Sequence, residues 1–420
     1  MTKPSPVWHP FTQHALTPDP PVVVKGEGAW LETRDGRRIL DAIASWWVIT
    51  HGHRHPRIVA AIKAQADRLD QVIFAGHTHE PAEEVARGLL ALAPANLEHV
   101  FFSDSGSTAV EVALKMALGF WRNRNIGRTR IIALEHGYHG DTIGTMSAGA
   151  RGVFNAAYEP LLFDVTRIPF PQRDGQATLD ALEKACKSDD VAALIVEPLI
   201  LGAGGMLIYP AAMLAEMKRI CAQHDVLFIA DEVMTGFGRT GTLFACEQAG
   251  VEPDIACYAK GLTGGSLPLA VTLCRHDIFA AHYSTDRAHT FFHSSSFTAN
   301  PIACAAAAAN LAIWRDEPVR DRVAALCAMQ EARLARFHDD PRFAHARRLG
   351  TITALDLVVR DAGYLADIGP RLLSFFRDAN ILLRPLGNTI YVLPPYCATA
   401  ADLDLVYDAI AEAGERFGTQ

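Results

Sequence analysis

The fold is decided by two stretches of sequence, VLFIADEVMTGFGRTG at residues 226–241 and DIACYAKGLTGG at residues 254–265. Each starts with a short apolar run, reaches a charged residue (Asp231 or Lys260), and continues into a glycine-rich segment. Short runs that are apolar throughout are typical of strands covered on both faces, as in a parallel sheet. Runs of the same kind occur at 99–102, 130–134, 192–197 and 270–274.

The segments between these runs have the pattern of amphipathic helices. After Gly106, apolar side chains recur at helical spacing, at Val110, Leu114, Ala117 and Trp121. Strands that alternate with helices favour right-handed crossovers. The sequence therefore predicts an α/β fold, whose large domain contains a mostly parallel, doubly wound sheet.

Near residue 315 the pattern changes. Residues 315–337 predict a charged amphipathic helix, and the apolar segments 351–359 and 389–395 predict strands. This pattern indicates a smaller α+β domain. We therefore expect an N-terminal segment (1–45) that packs with the small domain, a large domain (46–314), and a C-terminal small domain (315–420).

Composition restricts the class of protein. The chain has 420 residues, of which 50% are hydrophobic and 20% charged, and its formal net charge is −8. These values exclude a disordered or coiled-coil chain, and a net acidic chain with no Lys/Arg run argues against nucleic-acid binding. The N-terminus lacks the apolar region of a signal peptide, and the most apolar stretch, 302–314, is shorter than the ~20 residues needed to span a bilayer.

The cysteine pattern indicates the cellular compartment of the protein. None of the eight cysteines forms a C-x-x-C pair, and most lie in apolar stretches. In a chain of this length the pattern predicts reduced, buried thiols and a cytoplasmic protein.

In a doubly wound sheet, ligands bind beyond the carboxyl ends of the strands. Lys260 is the only charged residue in the twenty positions between Asp254 and Arg275. Desolvation would lower its pKa and make it an amine nucleophile, although a lysine at a strand end can also reach solvent. Asp231 could pair with a protonated ring nitrogen, as in a pyridoxal phosphate enzyme, or it could cap a helix or pair with Arg239.

Candidate cofactor-binding residues follow two further strands. Ser105-Gly106-Ser107-Thr108 lies where a strand turns into a helix, and such a turn is either a phosphate site or an ordinary cap. Tyr138 follows another strand and could stack on a planar cofactor or simply pack. An amine, an acid and a phosphate site together are the parts of a pyridoxal phosphate site.

Other chemistries find less support. The histidines at 51, 53 and 55, and again at 136 and 139, lack further ligands at zinc-like spacing, so we expect no metal. The chain has no G-x-S-x-G motif of a serine hydrolase, and the glycine-rich segment Gly202-Ala203-Gly204-Gly205 does not fit the G-x-G-x-x-G pattern of a dinucleotide site.

DEVMTGFGRTG (231–241) followed by PDIACYAKGLTGG (253–265) resembles the signature of the class III (ω-type) aminotransferases of fold type I. The similarity extends over nearly the whole chain from Trp8. Several motifs are similar to those of the members that convert 8-amino-7-oxononanoate to 7,8-diaminononanoate in biotin synthesis with S-adenosylmethionine as amino donor. These motifs are WHPFTQ (8–13), SWWVITHGHRHP (45–56), FFSDSGSTAVEVALKMA (101–117), HGYHGDT (136–142) and RPLGNTIYVLPPY (384–396).

The resemblance implies a cofactor, pyridoxal 5'-phosphate. Lys260 would bind it as a Schiff base and shuttle the proton in a ping-pong reaction, and Asp231 would pair with its pyridine nitrogen. Val233 and Tyr138 would contact opposite faces of its ring. Its phosphate would be held by Gly106 and Ser107, together with Ser295 and Ser296 from the partner subunit of a homodimer.

The resemblance also implies the substrate contacts. Arg384 would bind the substrate carboxylate and Trp46 would line a tunnel, while Tyr138, Lys260, Phe11 and Ser294 complete the set. Phe11 replaces a tyrosine found in several members, and Ser295-Ser296 replaces Pro-Thr. The alternatives are the same reaction with lysine as donor, a broad ω-amine or diamine:pyruvate transaminase, and a non-catalytic binding protein of the same fold.

Overall fold

The computed structural model describes residues 6–17, 19–172 and 174–419. Its strands follow the apolar runs of the sequence, with short additional strands between them. They are β1 (Val23–Glu27), β2 (Trp30–Thr33), β3 (Arg38–Asp41), β4 (His99–Ser103), β5 (Arg130–Leu134), β6 (Thr166–Ile168), β7 (Val191–Val196), β8 (Ile200–Leu201), β9 (Leu207–Ile208), β10 (Leu227–Asp231), β11 (Ile255–Tyr258), β12 (Ala270–Cys274), β13 (Phe343–Leu349), β14 (Ile352–Leu357), β15 (Ile381–Leu382) and β16 (Thr389–Val392).

The helices fill the segments between the strands and cover the sheets. They are α1 (Ala44–Trp47), α2 (Pro56–Ala66), α3 (Glu80–Leu90), α4 (Gly106–Asn123), α5 (Ile143–Ala148), α6 (Gln176–Cys186), α7 (Ala211–Gln223), α8 (His276–Ala280), α9 (Pro301–Asp316), α10 (Val319–Leu334), α11 (Ile368–Asp378) and α12 (Ala400–Phe417). Within the ranges given above, no helix is both long enough and apolar enough to cross a membrane.

The central sheet has the strand order β4-β12-β11-β10-β7-β5-β6 among the described residues. Strands β10, β11, β7, β5 and β6 pair in parallel, and β12 runs antiparallel to both of its neighbours, β11 and β4. The predicted mostly parallel α/β sheet is thus confirmed. All six residues of β7 are buried, as expected for a strand with packed layers on both faces.

Alternate residues of these strands face different layers. Ile131 and Ala133 pack with the apolar face of α4, while Ile132 and Leu134 belong to the core on the other side of the sheet. This alternation is the two-residue period of a strand, and it explains why the runs are apolar throughout.

The C-terminal region has its own antiparallel sheet, in the order β13-β14-β16, with α10 and α12 packed nearby. A further sheet, β1-β2-β3-β15, joins the N-terminal region to this part of the chain, because Ile381 and Leu382 of β15 pair in parallel with Leu40 and Asp41 of β3. The small α+β region therefore contains strands from both ends of the sequence.

Candidate active site

The carboxyl ends of β4, β5, β10 and β11 converge on a cavity of about 370 Å³. Its lining includes most of the residues that the sequence predicts to hold a cofactor. These are Gly106, Ser107, Tyr138, Asp231, Val233 and Lys260. Residues that lie far apart in the sequence therefore meet at one edge of the sheet, as the strand-end rule predicts.

Lys260 begins a short 3₁₀ turn immediately after β11. Its backbone has φ +44°, in the left-handed region, and its Nζ lies 5.4 Å from the centre of the Trp47 ring. The loss of water around the ammonium group lowers the pKa of Lys260, while the negative charges of Asp231 and Glu197 oppose that shift. A lysine with a lowered pKa carries a larger fraction of the neutral amine, which is the nucleophilic form.

Asp231 ends β10 and is held by two donors. Its Oδ2 lies 2.7 Å from Nδ1 of His139, and its Oδ1 accepts a hydrogen bond from the backbone N–H of Val233 at 3.2 Å. His139 is buried, and its Nε2 has no hydrogen-bond partner among the described residues. Arg239 does not pair with this acid, because its guanidinium donates to backbone carbonyls such as that of Ile49.

The contact between His139 and Asp231 is not predicted by the sequence. There the histidine is considered only as a metal ligand, although Tyr138 beside it is predicted to follow a strand. The available signal was that a histidine and an acid both follow strands of one sheet.

The start of α4 forms a tight cradle. Ser105 caps this helix, since its Oγ accepts from the backbone N–H of Thr108 at 3.2 Å. A Cβ added at Gly106 would lie 2.5 Å from Cγ1 of Val233, so only glycine fits there. A Cβ at Gly140, whose φ is +131°, would lie 2.1 Å from Oγ of Ser107. The backbone can therefore approach a ligand closely at the positive end of a helix.

Glu197 follows the last residue of β7 and lines the cavity. Its carboxylate oxygens accept from the backbone N–H of Tyr138 and of Gly202, both at 2.9 Å. Burial raises the pKa of Glu197 to about 7, and the nearby charge of Asp231 adds to this shift, whereas His139 and the two N–H donors oppose it. In the sequence, Glu197 ends the apolar run 192–197, and no role is predicted for it.

A second cavity, of about 390 Å³, shares Lys260 and Tyr138 with the first. Arg384 lines it, and its guanidinium lies 5.2 Å from the centre of the Trp46 ring and donates a hydrogen bond to the backbone carbonyl of Phe11. The Phe11 ring in turn meets Trp46 edge-on at 5.5 Å. This second cavity, which we call the tunnel, thus has the lysine and the arginine in its wall, and aromatic side chains supply much of the remainder.

The predicted serines lie elsewhere in this single chain. Ser294, Ser295 and Ser296 are not among the described residues that line either cavity. Ser295 Oγ donates to Oδ2 of Asp104 at 2.5 Å, and the backbone carbonyl of Ser296 accepts from Gln71 at 2.6 Å. Their contribution to a partner's site stays a prediction.

The residues of the first cavity fit pyridoxal 5'-phosphate. The cradle at Gly106 and Gly140 has no room for a Cβ but exposes helix N–H groups to a phosphate. Asp231 offers a buried carboxylate to a protonated ring nitrogen, and Lys260 offers an amine to a carbonyl. Tyr138 and Val233 supply the flat and the branched surfaces that a ring can pack between.

Comparisons with known proteins agree with this chemistry. The family model described as aminotransferase class-III matches residues 12–413. An adenosylmethionine-8-amino-7-oxononanoate aminotransferase from Synechococcus elongatus is 47% identical over 418 residues, which cover 97% of each chain.

Solved structures of aminotransferases are also similar to this chain. The crystal structure of an adenosylmethionine-8-amino-7-oxononanoate aminotransferase from Methanocaldococcus jannaschii is 33% identical, with a TM-score of 0.94 over 98% of this chain and 97% of that one. An amine transaminase from an uncultivated Pseudomonas species, solved in its PLP-bound form, is also 33% identical, with a TM-score of 0.93 over the full length of both chains.

Proposed function

The chain belongs to the class-III aminotransferase family, and from this premise we propose that it transfers an amino group from S-adenosylmethionine to 8-amino-7-oxononanoate, giving 7,8-diaminononanoate in biotin synthesis. The chain is an aminotransferase, and its cofactor is pyridoxal 5'-phosphate. The proposal concerns the two substrates and the residues that act on them.

The proposed substrate is inferred from the residues that line the tunnel. The tunnel is lined by Lys260, where amino transfer would take place, and by Arg384, whose guanidinium can bind a carboxylate with two hydrogen bonds. Most of its remaining wall is apolar or aromatic, including Trp46 and Tyr391. An apolar path between an amine and a guanidinium suits a keto acid whose carboxylate is separated from the reacting carbon by a chain of methylene groups.

Two groups of residues would hold the cofactor. Gly106 and Ser107 would bind its phosphate at the start of α4, assisted by Ser295 and Ser296 of the partner. Its ring would lie between Tyr138 and Val233. When bound, the cofactor supplies a carbonyl for amino-group transfer and a conjugated ring that accepts the electron pair released at the substrate carbon.

The protein's own side chains would then move protons and orient charge. Lys260 Nζ takes the proton from the donor carbon that carries the nitrogen, and the same group later returns a proton to the acceptor carbon. Its lowered pKa favours the neutral amine that the first step needs. The Asp231 carboxylate would pair with the ring nitrogen, and His139 fixes the orientation of that carboxylate through its hydrogen bond of 2.7 Å.

The two substrates would use the site in turn, so we expect ping-pong kinetics. Arg384 would bind the keto-acid carboxylate, and Trp46, Phe11, Tyr138 and Ser294 would complete the substrate contacts. The Phe11 carbonyl already accepts a hydrogen bond from Arg384, which supports a role for the N-terminal segment in closing the tunnel.

We further propose a homodimer in the cytoplasm, organised as segments 1–45, 46–314 and 315–420. The pairing of β15 with β3 supports the association of the first segment with the last. Gel filtration with light scattering would test the dimer, and Ser295→Ala combined with Ser296→Ala would weaken retention of the cofactor if a partner supplies these hydroxyls.

A second candidate is a broad ω-amine transaminase, which the likeness to the Pseudomonas amine transaminase favours. A half-reaction assay separates the candidates. The purified yellow protein is mixed separately with S-adenosylmethionine, lysine and a simple primary amine, and the visible absorbance of the cofactor is followed. The keto acid 8-amino-7-oxononanoate is then added.

Bleaching by S-adenosylmethionine, with recovery on adding the keto acid, is the expected result. Bleaching by lysine alone with the same recovery would retain the acceptor and change the donor. If only simple amines bleach the protein and the keto acid restores nothing, the proposed substrate is wrong and the ω-amine transaminase is supported. A protein that no amine bleaches would be a binding protein without turnover.

A further inference from the structure

A buried carboxamide lies directly behind the turn that begins at Lys260. Asn310, in the middle of α9, has no exposed surface. Its Nδ2 donates to the backbone carbonyls of Gly261 and Leu262, at 3.0 Å each. These are the first two residues after Lys260, so one side chain holds two successive carbonyls of the turn.

The other end of the same carboxamide is held by a histidine. Nε2 of His51 lies 2.8 Å from Oδ1 of Asn310. The two carbonyl contacts fix which end of the Asn310 amide is nitrogen, so Oδ1 faces His51 and the histidine donates through Nε2. Burial lowers the pKa of His51 to about 4, so the ring is neutral at physiological pH. His51 comes from the HGHRH segment, whose clustered histidines the sequence could not assign to any role.

We infer that His51 and Asn310 are positioning residues, which fix the backbone of the Lys260 turn so that only the lysine side chain moves during amino transfer. The inference rests on the proposed role of Lys260 as the reacting amine.

The local geometry explains why the turn needs such support. Lys260 has a left-handed φ of +44°. A residue other than glycine keeps this backbone conformation only when its surroundings hold it there. Gly264 closes the turn with φ +64°, and a Cβ there would lie 2.6 Å from Ile58 and 3.4 Å from Oδ1 of Asn310. His51, Asn310 and the two residues that follow Lys260 are thereby joined in one buried hydrogen-bonded chain.

A strictly structural role would give the same contacts, so the test needs a matched control. Gln330, on α10, is also a fully buried carboxamide, and it donates to the carbonyl of Thr351 and accepts from the hydroxyl of Tyr407. Asn310→Asp and Gln330→Glu both replace a buried amide with an acid, but only the first faces the Lys260 turn.

The first measurement needs no turnover. Cofactor-free protein is mixed with pyridoxal phosphate, and covalent loading at Lys260 is trapped with borohydride over time and quantified by peptide mass spectrometry. We expect Asn310→Asp to slow loading at least about tenfold and to lower kcat roughly 10- to 100-fold with KM nearly unchanged, the size of effect that a small misplacement of a reacting group produces. Gln330→Glu should leave the loading rate and kcat near the wild-type values, whatever it does to the melting temperature.

A second pair of variants carries the test if Asn310→Asp does not fold. His51→Gln keeps a side-chain N–H near the position of Nε2, whereas His51→Leu removes the donor. We expect His51→Leu to slow loading and His51→Gln to restore most of the rate.

Equal loading rates and equal kcat values in His51→Leu, Asn310→Asp and wild type would overturn the inference. Trapping on wild-type protein at a lysine other than Lys260 would instead overturn the proposed site. Because loading requires no amino donor or acceptor, a wrong substrate assignment would leave this experiment intact.

Discussion

Nδ1 of His139 lies 2.7 Å from Oδ2 of Asp231, and both side chains are buried at the edge of the central sheet. His139 follows β5 and Asp231 ends β10, and β7 lies between these two strands. The contact therefore crosses the end of β7, where Glu197 lies, and the two side chains act on the pKa of Glu197 in opposite directions, Asp231 raising it and His139 lowering it. An acid at the centre of the site is thus held by a residue from two strands away.

This contact predicts a graded effect of substitutions at His139. His139→Leu removes the donor and lets the Asp231 carboxylate rotate, so we expect kcat to fall roughly 10- to 100-fold, the range found when a partner that orients a site residue is lost. His139→Asn can still donate toward Asp231 and should recover part of the loss. Steady-state kinetics of the three proteins would check the order. Equal rates for Leu and Asn would mean that the hydrogen bond does not matter.

The sequence was sufficient to predict the strands that are buried on both faces. The runs at 130–134 and 270–274 coincide with β5 and β12, because a strand covered by two layers is apolar over most of its length. It did not predict β6 or β13. β6 has three residues, including Arg167, and lies at the sheet edge, while β13 contains Arg347 and Arg348, so neither forms a continuous apolar run.

The candidate site also contains residues that the sequence predicts and others that it does not. Lys260, Asp231 and Gly106 could be found because each follows a strand in the sequence, and strand ends meet at one edge of a sheet. The partners of these residues depend on the order of strands in space. The sequence does not state that β7 separates β5 from β10, so neither the His139–Asp231 contact nor the position of Glu197 could be derived from it.

Lys260→Ala tests the reacting amine. The variant keeps the cradle at Gly106 and the acid at Asp231, so we expect it to bind pyridoxal phosphate non-covalently while turnover falls below detection. Lys184→Ala, at an exposed lysine on α6, is the control and should behave as wild type. Absorbance spectra before and after dialysis, together with a coupled assay, would measure both properties. Full activity in Lys260→Ala would reject the assignment of this lysine.

Arg384→Leu tests the carboxylate contact. Charge-assisted hydrogen bonds to a carboxylate contribute enough that we expect the KM for 8-amino-7-oxononanoate to rise roughly 10- to 100-fold. An acceptor without a carboxylate, such as a simple aliphatic aldehyde, should show little change, because it makes no contact with the guanidinium. Arg336→Leu, which removes an exposed ion pair with Asp408 and a contact with the Phe337 ring, serves as control because neither residue lines the tunnel. An equal rise in KM for both acceptors would indicate that Arg384 shapes the tunnel rather than binding the carboxylate.

The raised pKa of Glu197 predicts that the free energy of unfolding depends on pH. Its pKa is about 7 in the folded protein, against 4.5 for an exposed glutamate. Between these pH values the folded protein retains a proton that the unfolded chain has released. Raising the pH from 4.5 to 7 therefore destabilises the folded state through this group, by at most about 3 kcal/mol at about 1.4 kcal/mol per pKa unit.

Glu197→Gln removes the titrating proton and so removes this dependence. A carboxamide has a single acceptor oxygen for the N–H groups of Tyr138 and Gly202, so the variant loses some stability at every pH. The difference in the free energy of unfolding, wild type minus variant, should nevertheless shrink as the pH rises from 5 to 7.5. Urea unfolding of the cofactor-free proteins would measure it, with Glu412→Gln on the exposed face of α12 as control. A difference that stays constant over this range would show that Glu197 is ionised throughout, and that its two N–H donors outweigh its burial.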